Sequence, residues 1–440
     1  MQSTRLYTDL DEGVYMKMPL GFAEAGKVLR LRKALYGLRR SPLLWQKNLT
    51  GSLKELGFKE VPQEPCDMLN GGVVVFFYVD DIVFCYRKKD KEKTKGLIHE
   101  LQKEYQMNVL GELKWFLGIH VLRDRRHRKL WLSQEAFIEK IANQYEIDLT
   151  GRLPDTPMAE AELLPSTQPL QKVERALVLQ YQRKMGSILY AAITTRPDVS
   201  FAAARLARFS ANPGREHQEA IDRVIQYLYG TRARAICYGG VNGVGREGAR
   251  SFICASDSSF ADNSVDRESS RGYIMTLFGG PIAWRANKQD TVTTSSTEAE
   301  LLALSQTAKE AIFISRLFKA MTLRLHEPLV IDCDNTQTLR IIREDKAKLT
   351  TKLRHVDIHQ HWLRQEYSMK RVLFEWKPTK EMIADGLTKA LSRQKFGNFV
   401  RMIGLVDIGE RLDAEKRMED LKSTLMARKT SSEIEVRITH

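Results

Sequence analysis

The fold of the first part of the chain is decided by the stretch VVVFFYVDDIVFCY, which runs from Val73 to Tyr86. Seven apolar or aromatic residues run directly into two adjacent carboxylates, Asp80 and Asp81, and five residues of strand character follow at once. A strand, a two-residue turn and a second strand are typical of a β-hairpin, so we predict the two aspartates at its tip. Two carboxylates on a rigid tip suit Mg²⁺, a hard cation that takes oxygen ligands.

The composition favours a multidomain protein with a polyanionic partner. The 440 residues predict about two to four domains, and a hydrophobic fraction of 43% is enough to build real cores. Lysine and arginine number 69 against 55 aspartates and glutamates, an excess of 14 positive charges. A basic balance of this size points to nucleic acid ahead of a membrane surface.

The cysteines and the apolar runs favour an intracellular protein. The cysteines are odd in number, widely spaced and never in a Cys-x-x-Cys pair, which argues against a disulfide framework and against a zinc site. The longest apolar run is far shorter than the ~20 residues that span a bilayer. The N-terminus lacks the apolar core of a signal peptide. We therefore expect a soluble protein of the cytoplasm or nucleus, with no membrane partner.

Changes in composition divide the chain into segments. The clearest boundary lies at Gly239–Gly248, which contains five glycines. Beyond it, strand-like and helical segments mix as in an α/β domain. The predicted segments are, in chain order, a first domain at 1–122, a connecting region at 123–249 with a proline-rich linker at 153–170, the mixed α/β domain at 250–392 and a charged tail at 393–440. Within the first segment, residues 29–56 are predicted to form a basic helical region that is interrupted at Gly37 and Pro42.

Four acids of the α/β domain lie at predicted strand ends or within predicted helices, where they could form a metal site. Asp257 closes a predicted strand, Glu300 lies in the first turns of a helix, Asp334 ends another strand, and Asp385 lies within a helix predicted over 379–390. Acids at strand ends and helix starts can converge at one edge of a sheet. There they would hold two Mg²⁺ ions about 4 Å apart, a pair that activates a water and stabilises the leaving oxygen of a phosphodiester.

Several longer motifs resemble the reverse transcriptase of copia-type retrotransposons and the ribonuclease H region that follows it. They keep the family's order over roughly residues 10 to 400. The stretches that carry the resemblance are Lys33–Pro42 with Trp45, Tyr78–Asp81, Gly111–Ile119, Thr195–Asp198, Tyr227–Thr231, Ser295–Glu300, Asp334–Asn335 and Ala384–Lys389. The resemblance implies an α/β (α+β) fold, in which a partial reverse-transcriptase palm and thumb precede a ribonuclease H-like mixed sheet.

For the first domain, the resemblance implies that Asp80 and Asp81 are two of three polymerase aspartates. It also implies that Tyr78 lies near the primer end and that Arg39 and Arg40 lie on the template side, although Arg40 replaces the family's usual glutamine. The motif that carries the third aspartate would fall just before Met1. Asp9 and Asp11 match the loop after that motif and are poor substitutes, so we expect a polymerase site without its third acid.

For the later domain, the resemblance implies a ribonuclease H that cleaves the RNA strand of an RNA–DNA hybrid, with Mg²⁺, or alternatively Mn²⁺, as cofactor. Asp257, Glu300, Asp334 and Asp385 would be its metal-binding tetrad. Glu298 is a rival for Glu300, which is preferred because Leu301–Leu304 follows it as in the family's helix. Asp332 is a rival for Asp334, but it lies inside the strand rather than at its end.

The segment after residue 350 is basic and rich in histidine. Three histidines, His355, His359 and His361, could suggest zinc, but no cysteine lies nearby. A helix that presents Lys352, Arg354 and His355 to phosphates is the preferred interpretation, with hybrid and primer–template as the nucleic-acid partners. A non-enzymatic nucleic-acid binder is the third interpretation of the whole chain, and the oligomeric state is left open.

The interpretation of the first domain leads to a prediction. Asp80 and Asp81 alone do not supply the bridging ligands that two metal ions need. The purified 440-residue chain should therefore not incorporate labelled deoxynucleotide on a primed template. Incorporation that is lost in Asp80→Asn would contradict this. An in-frame Asp-Val-x-x-Ala-Phe sequence upstream of the Met1 codon would favour the alternative, a complete reverse transcriptase whose start was misplaced.

Overall fold

The computed structural model describes residues 9–19, 21–22, 24, 26–35, 37–167, 174–239, 250–323, 329–344, 354–418 and 420. They belong to two compact units. The first consists of Met1–Phe116 with Phe313–Leu325, and the second of Leu117–Ile312 with His326–His440.

The first unit contains an antiparallel sheet of four strands in chain order. These are β3 (Lys59–Val61), β4 (Glu64–Asn70), β5 (Val73–Tyr78) and β6 (Asp81–Tyr86). Two helices, α1 (Ser41–Glu55) and α2 (Lys91–Glu104), supply Trp45, Leu49, Leu53 and Leu101 to the core beneath the sheet. Strands β1 (Asp9–Met16) and β2 (Leu29–Lys33) pair with each other, and β7 (Trp115–Phe116) is a two-residue strand.

The hairpin forms as predicted, but its turn lies one residue earlier. Asp81 is the first residue of β6 and pairs with Tyr78, so the two turn residues are Val79 and Asp80. This register places Ile82 opposite Phe77 and Phe84 opposite Val75, and all four side chains contribute to one core.

The helical region predicted over residues 29–56 was wrong in its first part. Leu29–Lys33 is a strand, because its backbone pairs with β1. The helix begins only at Ser41, with Pro42 in its first turn. Proline is tolerated there because its missing N–H would have no partner within the helix.

The second unit begins with strands of an antiparallel sheet and a bundle of helices. The strands pair antiparallel in the order β16 (Leu405–Asp407), β10 (Arg234–Gly239), β9 (Lys129–Ser133) and β8 (Ile119–Asp124). The helices are α3 (Glu135–Gln144), α4 (Arg175–Thr194), α5 (Ser200–Ala207) and α6 (Arg215–Gly230). Their apolar faces form a core with side chains from the later part of the chain.

The first part of the segment predicted as a charged tail is folded. Residues Arg393–Met402 form α10, and β16 follows it and pairs with β10. Phe396, Phe399 and Val400 recur at helical spacing and are buried in the core. The remainder of that segment, from residue 421, lies outside the described residues.

A mixed five-stranded sheet follows, which confirms the mixed α/β prediction. Its order is β13 (Gly280–Lys288), β12 (Ser270–Leu277), β11 (Phe252–Ser259), β14 (Leu329–Cys333) and β15 (Val372–Trp376). The first three strands are antiparallel neighbours, whereas β14 runs parallel to β11 and β15 parallel to β14. The helices of this region are α7 (Ser296–Ala320), α8 (Thr336–Arg343) and α9 (Arg354–Ser368).

The helix predicted over 379–390 was also wrong. The segment makes only two short 3₁₀ turns, Thr379–Glu381 and Asp385–Leu387. A Cβ atom on Gly272 of β12 would lie 2.6 Å from Leu387 Cβ, and one on Gly386 would lie 2.6 Å from the Phe399 ring. The segment is therefore held between β12 and α10, where an α-helix about 10 Å across has no room.

Within the ranges given above, no helix combines the length and the apolarity needed to cross a bilayer.

The close contact at Gly272 can be tested. Gly272→Ala should destabilise the chain by about 1–3 kcal/mol, because the added methyl must displace Leu387 or β12. Gly397→Ala in α10 is the matched control, since a Cβ there meets no atom within 4 Å. It should stabilise the helix by up to about 1 kcal/mol. Urea unfolding of both variants measures the difference, and equal stabilities would contradict the close packing.

Candidate functional site

Three carboxylates of the second unit converge at one end of the mixed sheet. Asp257 lies on β11, Glu300 in the first turns of α7, and Asp334 directly after β14. Strands β11 and β14 are parallel neighbours, and Ala255 lies opposite Asp332. Asp257 and Asp334 each follow two residues later, so they reach the same edge of the sheet. One oxygen atom from each of the three side chains lies within 4.8 Å of the other two.

Two of these carboxylates are removed from water. Asp257 is 3% exposed and Glu300 is 5% exposed. Burial raises the pKa of Asp257 to about 7, and the charges of Asp385 and Asp334 act in the same direction. Burial, together with Asp257 and Asp334, also raises the pKa of Glu300 well above its ordinary value. Neighbouring buried acids of this kind are typical of functional sites.

The residues present fit a divalent cation. Glu300 Oε1 accepts a hydrogen bond from the backbone N–H of Ser258 at 3.1 Å. Glu300 Oε2 is buried and has no hydrogen-bond partner in the described part of the chain. A buried carboxylate oxygen without a donor is costly, and a cation between the three side chains would remove that cost.

Asp385 lies beside this group rather than within it. Its charge acts on Asp257, but the three-carboxylate group does not include it. Asp385 Oδ1 forms an ion pair with the ammonium group of Lys389. Burial lowers the pKa of Lys389, but the hydrogen bond to Asp385 and the charge of Asp257 outweigh it and the pKa is raised. The structure thus brings three of the four predicted ligands together and pairs the fourth with a lysine.

The two rival acids have other partners. Glu298 Oε2 accepts hydrogen bonds from the backbone N–H and the hydroxyl of Thr294, at 2.6 and 2.7 Å, and so caps the start of α7. Asp332 forms an ion pair with Arg250 at 3.0 Å. Neither belongs to the three-carboxylate group.

The basic helix predicted after residue 350 is α9. Arg354 and His355 lie exposed at its start, whereas Lys352 lies outside the described residues. His359 Nδ1 is 2.8 Å from the hydroxyl of Ser305, and His361 lies 3.6 Å from Asp357. Within the described ranges, the histidines belong to no group of three metal-ligating side chains.

The carboxylates of the first unit have a different environment. Asp80 and Asp81 are both exposed at the hairpin, and Tyr78 beside them is 57% exposed. The Trp45 indole N–H donates a hydrogen bond to the carbonyl of Val79, which ties the turn to α1. Val79 has a φ of +54°, which is strained for a β-branched residue.

The predicted arginines lie on the same unit. Arg39 is exposed. Arg40 forms ion pairs with Asp11 at 2.6 Å and with Glu12 at 3.3 Å. Sequence reasoning assigned Arg40 to nucleic acid and did not anticipate these two intramolecular partners.

Sequence reasoning also missed the residues that hold the carboxylates. The hydroxyl of Thr388 donates to Asp257 Oδ2, and the hydroxyl of Thr379 donates to Asp334 Oδ2 at 2.8 Å. The Trp376 indole N–H donates to the carbonyl of Asp334 at 3.2 Å. The one available signal was the position of Thr388 and Lys389 within the Ala384–Lys389 motif.

Comparison with solved structures finds two kinds of neighbour. The foamy viral protease–reverse transcriptase in complex with RNA/DNA hybrid is 15% identical, with 81% of this chain and 40% of that chain covered and a TM-score of 0.42. LC11-RNase H1 in complex with RNA/DNA hybrid is 14% identical, with 31% and 93% covered and a TM-score of 0.24.

The sequence comparisons define the family. The family described as reverse transcriptase (RNA-dependent DNA polymerase) matches residues 1–159. The retrovirus-related Pol polyprotein from transposon TNT 1-94 of Nicotiana tabacum is 32% identical over 413 residues, which cover 91% of this chain and 30% of that protein. The Pol polyprotein from transposon RE1 of Arabidopsis thaliana is also 32% identical, with 91% and 26% covered.

The chain thus spans less than a third of these two polyproteins, but it spans almost all of a shorter relative. A putative transposon Ty5-1 protein of Saccharomyces cerevisiae is 32% identical over 315 residues, which are 69% of this chain and 97% of that protein. The predicted family is confirmed: the chain belongs to the Pol proteins of copia-type retrotransposons.

Proposed function

We propose that the second unit is a divalent-cation-dependent ribonuclease that cleaves the RNA strand of an RNA–DNA hybrid. The observation that carries this proposal is the group formed by Asp257, Glu300 and Asp334, in which the buried Glu300 Oε2 has no hydrogen-bond partner within the described residues. Three ionised carboxylates so close together repel one another, and a cation between them would remove that repulsion.

The cation is Mg²⁺, with Mn²⁺ as the alternative, because both prefer oxygen ligands. Asp257, Glu300 and Asp334 would hold it, and Asp385 would be the fourth acid of the site. When bound, such ions activate a water and stabilise the leaving oxygen of a phosphodiester. The products would be a 3′-hydroxyl and a 5′-phosphate.

The partner would be recognised through its shape and backbone. Proteins that bind RNA-containing duplexes contact phosphates and 2′-hydroxyls rather than base edges. The formal net charge of +14 and the exposed Arg354 and His355 at the start of α9 suit such contacts.

For the first unit, we propose that Asp80 and Asp81 belong to the metal site of an RNA-directed DNA polymerase. The family match over residues 1–159 and the exposure of both carboxylates on one hairpin support this. Tyr78, Arg39 and Arg40 would contact primer–template. Cytoplasmic virus-like particles or the nucleus are the proposed places of action.

The ribonuclease proposal is tested with Asp257→Asn. The substitution removes one charged ligand of the metal. Loss of a residue that only hydrogen-bonds to a ligand costs roughly 10–100-fold in activity. The cleavage rate of a labelled RNA–DNA hybrid in Mg²⁺ should therefore fall by more than that. Asp290→Asn is the control, because the Asp290 side chain is 88% exposed, pairs with Arg271 and does not belong to the three-carboxylate group. Hybrid binding without any cleavage by the unmodified chain would instead favour a non-enzymatic binder.

The raised pKa values predict how pH and Mg²⁺ act together on stability. The folded-state pKa of Asp257 is about 7, above its ordinary value, so the stability that the protonated Asp257 contributes without metal is fully present below about pH 4 and is lost as the pH rises through 7. Mg²⁺ binds the ionised carboxylates and should raise the melting temperature more at pH 8 than at pH 6.

The control for this prediction is Asp257→Asn without metal. It should melt at a higher temperature than the unmodified chain at pH 8, because it carries no buried charge at that position. Thermal melting with and without Mg²⁺ across this pH range measures both effects. An Mg²⁺-induced shift that is the same at pH 6 and pH 8 would contradict the assignment of Asp257.

A further inference from the structure

The three carboxylates share a second arrangement besides their proximity. In each, one oxygen atom accepts a hydrogen bond from the protein. The donors are the Thr388 hydroxyl to Asp257 Oδ2, the Ser258 backbone N–H to Glu300 Oε1 and the Thr379 hydroxyl to Asp334 Oδ2. Only the second is a backbone group, so two of the three donors depend on side-chain identity.

The second oxygen of Glu300 has no such donor: Glu300 Oε2 is buried and has no hydrogen-bond partner among the residues that the structure describes. The hydroxyl hydrogen bonds to Asp257 and Asp334 are both accepted by Oδ2. In each side chain one oxygen thus accepts a hydrogen bond from the protein, and one oxygen lies within 4.8 Å of an oxygen of each of the other two.

Packing and hydrogen bonds hold Thr388 next to Asp257. It is fully buried, and its hydroxyl lies 3.1 Å from the carbonyl of Asp385 as well as against Asp257. A hydroxyl has a single proton, and a carboxylate is a stronger acceptor than a carbonyl. The methyl group of the side chain packs close to Gly272 on β12, since a Cβ atom there would lie 3.2 Å from it. Thr388 therefore connects the turn that carries Asp385 to the carboxylate of Asp257.

We propose that Thr388 and Thr379 are positioning residues of the metal site, which orient Asp257 and Asp334 so that their second oxygens face a common cation. This rests on the proposed function, because it assumes that the three carboxylates bind a divalent cation. The two residues differ in environment: Thr388 is buried, whereas Thr379 is exposed. Water can replace an exposed hydroxyl, so Thr388 contributes more than Thr379.

The test compares Thr388→Val, which keeps the shape and removes the hydroxyl, with Thr388→Ser, which keeps the hydroxyl. Mg²⁺ and Mn²⁺ affinities are measured by isothermal titration of the full 440-residue chain. Thr388→Val should bind both ions about 10–100-fold more weakly, the usual cost of losing an outer hydrogen bond to a ligand. Thr388→Ser should remain close to the unmodified chain, and Thr379→Val should fall between the two.

The hybrid-cleavage assay adds a second readout. Thr388→Val should lower kcat at a fixed Mg²⁺ concentration, recover at higher Mg²⁺, and leave KM for the hybrid unchanged, since Thr388 is buried away from the nucleic acid. A general loss of folding would not be reversed by the metal or by the serine variant. If Thr388→Val does not fold, Thr379→Val, at an exposed position, still tests the same arrangement at Asp334.

The outcomes separate the two proposals. Metal affinity in Thr388→Val equal to that of the unmodified chain overturns the positioning role, whatever the cleavage result. Metal affinity in Thr379→Val equal to that of the unmodified chain overturns the positioning role of Thr379. An unmodified chain that binds Mg²⁺ with the expected loss in Thr388→Val, but never cleaves hybrid, supports the positioning role and overturns the proposed ribonuclease.

Discussion

Two carboxylates, Asp257 and Glu300, are buried beside each other at one end of a mixed sheet, and the second unit is arranged around this constraint. Moving one charged group out of water costs several kcal/mol, and a second charge of the same sign adds repulsion. Protons or a cation must offset that cost. The raised pKa values of both side chains and the buried oxygen of Glu300 without a partner are two consequences of the same burial.

The backbone around the site explains why these acids meet. Parallel pairing of β11 and β14 brings Asp257 and Asp334 to the same edge, and α7 supplies Glu300 from its first turns. The segment that carries Asp385 packs closely against β12 and α10, because Gly272 and Gly386 have no Cβ atom, which would otherwise lie 2.6 Å from Leu387 and Phe399. That close approach also delivers Thr388 to Asp257, a residue 131 positions earlier in the chain.

The two acidic sites of the chain differ in the exposure of their carboxylates to water. The acids of the hairpin stay in water, and the unusual feature there is conformational: Val79 holds a φ of +54°. Such a backbone costs about 1–3 kcal/mol in a non-glycine residue. The pairing of β5 with β6 and the hydrogen bond from Trp45 hold it in place. In the second unit, the unusual feature is electrostatic: the carboxyl groups of Asp257 and Glu300 are buried next to each other, and the backbone fixes their positions.

Local pattern was enough for much of this molecule. The two apolar runs of Val73 to Tyr86 on either side of the aspartates predicted a hairpin. The strands that carry Asp257 and Asp334 and the helix that carries Glu300 were anticipated, and long motifs indicated the family. Local pattern failed where a neighbour distant in sequence sets the conformation. Strand pairing moved the hairpin turn to Val79, close packing reduced 379–390 to 3₁₀ turns, and the core took in Phe396 and Phe399 from a segment predicted as tail.

The sequence by itself determined which residue types were available: acids after strands and at a helix start, in an order that identifies the family. Only the tertiary structure decided which acids share a site. Glu298 and Glu300 are two residues apart, as are Asp332 and Asp334. The family motif and the predicted strand end favoured Glu300 and Asp334, but neither shows what the four side chains contact. Their partners differ in the folded chain. Glu298 caps the start of α7, and Asp332 forms an ion pair with Arg250. Glu300 and Asp334 instead lie beside Asp257 in the three-carboxylate group.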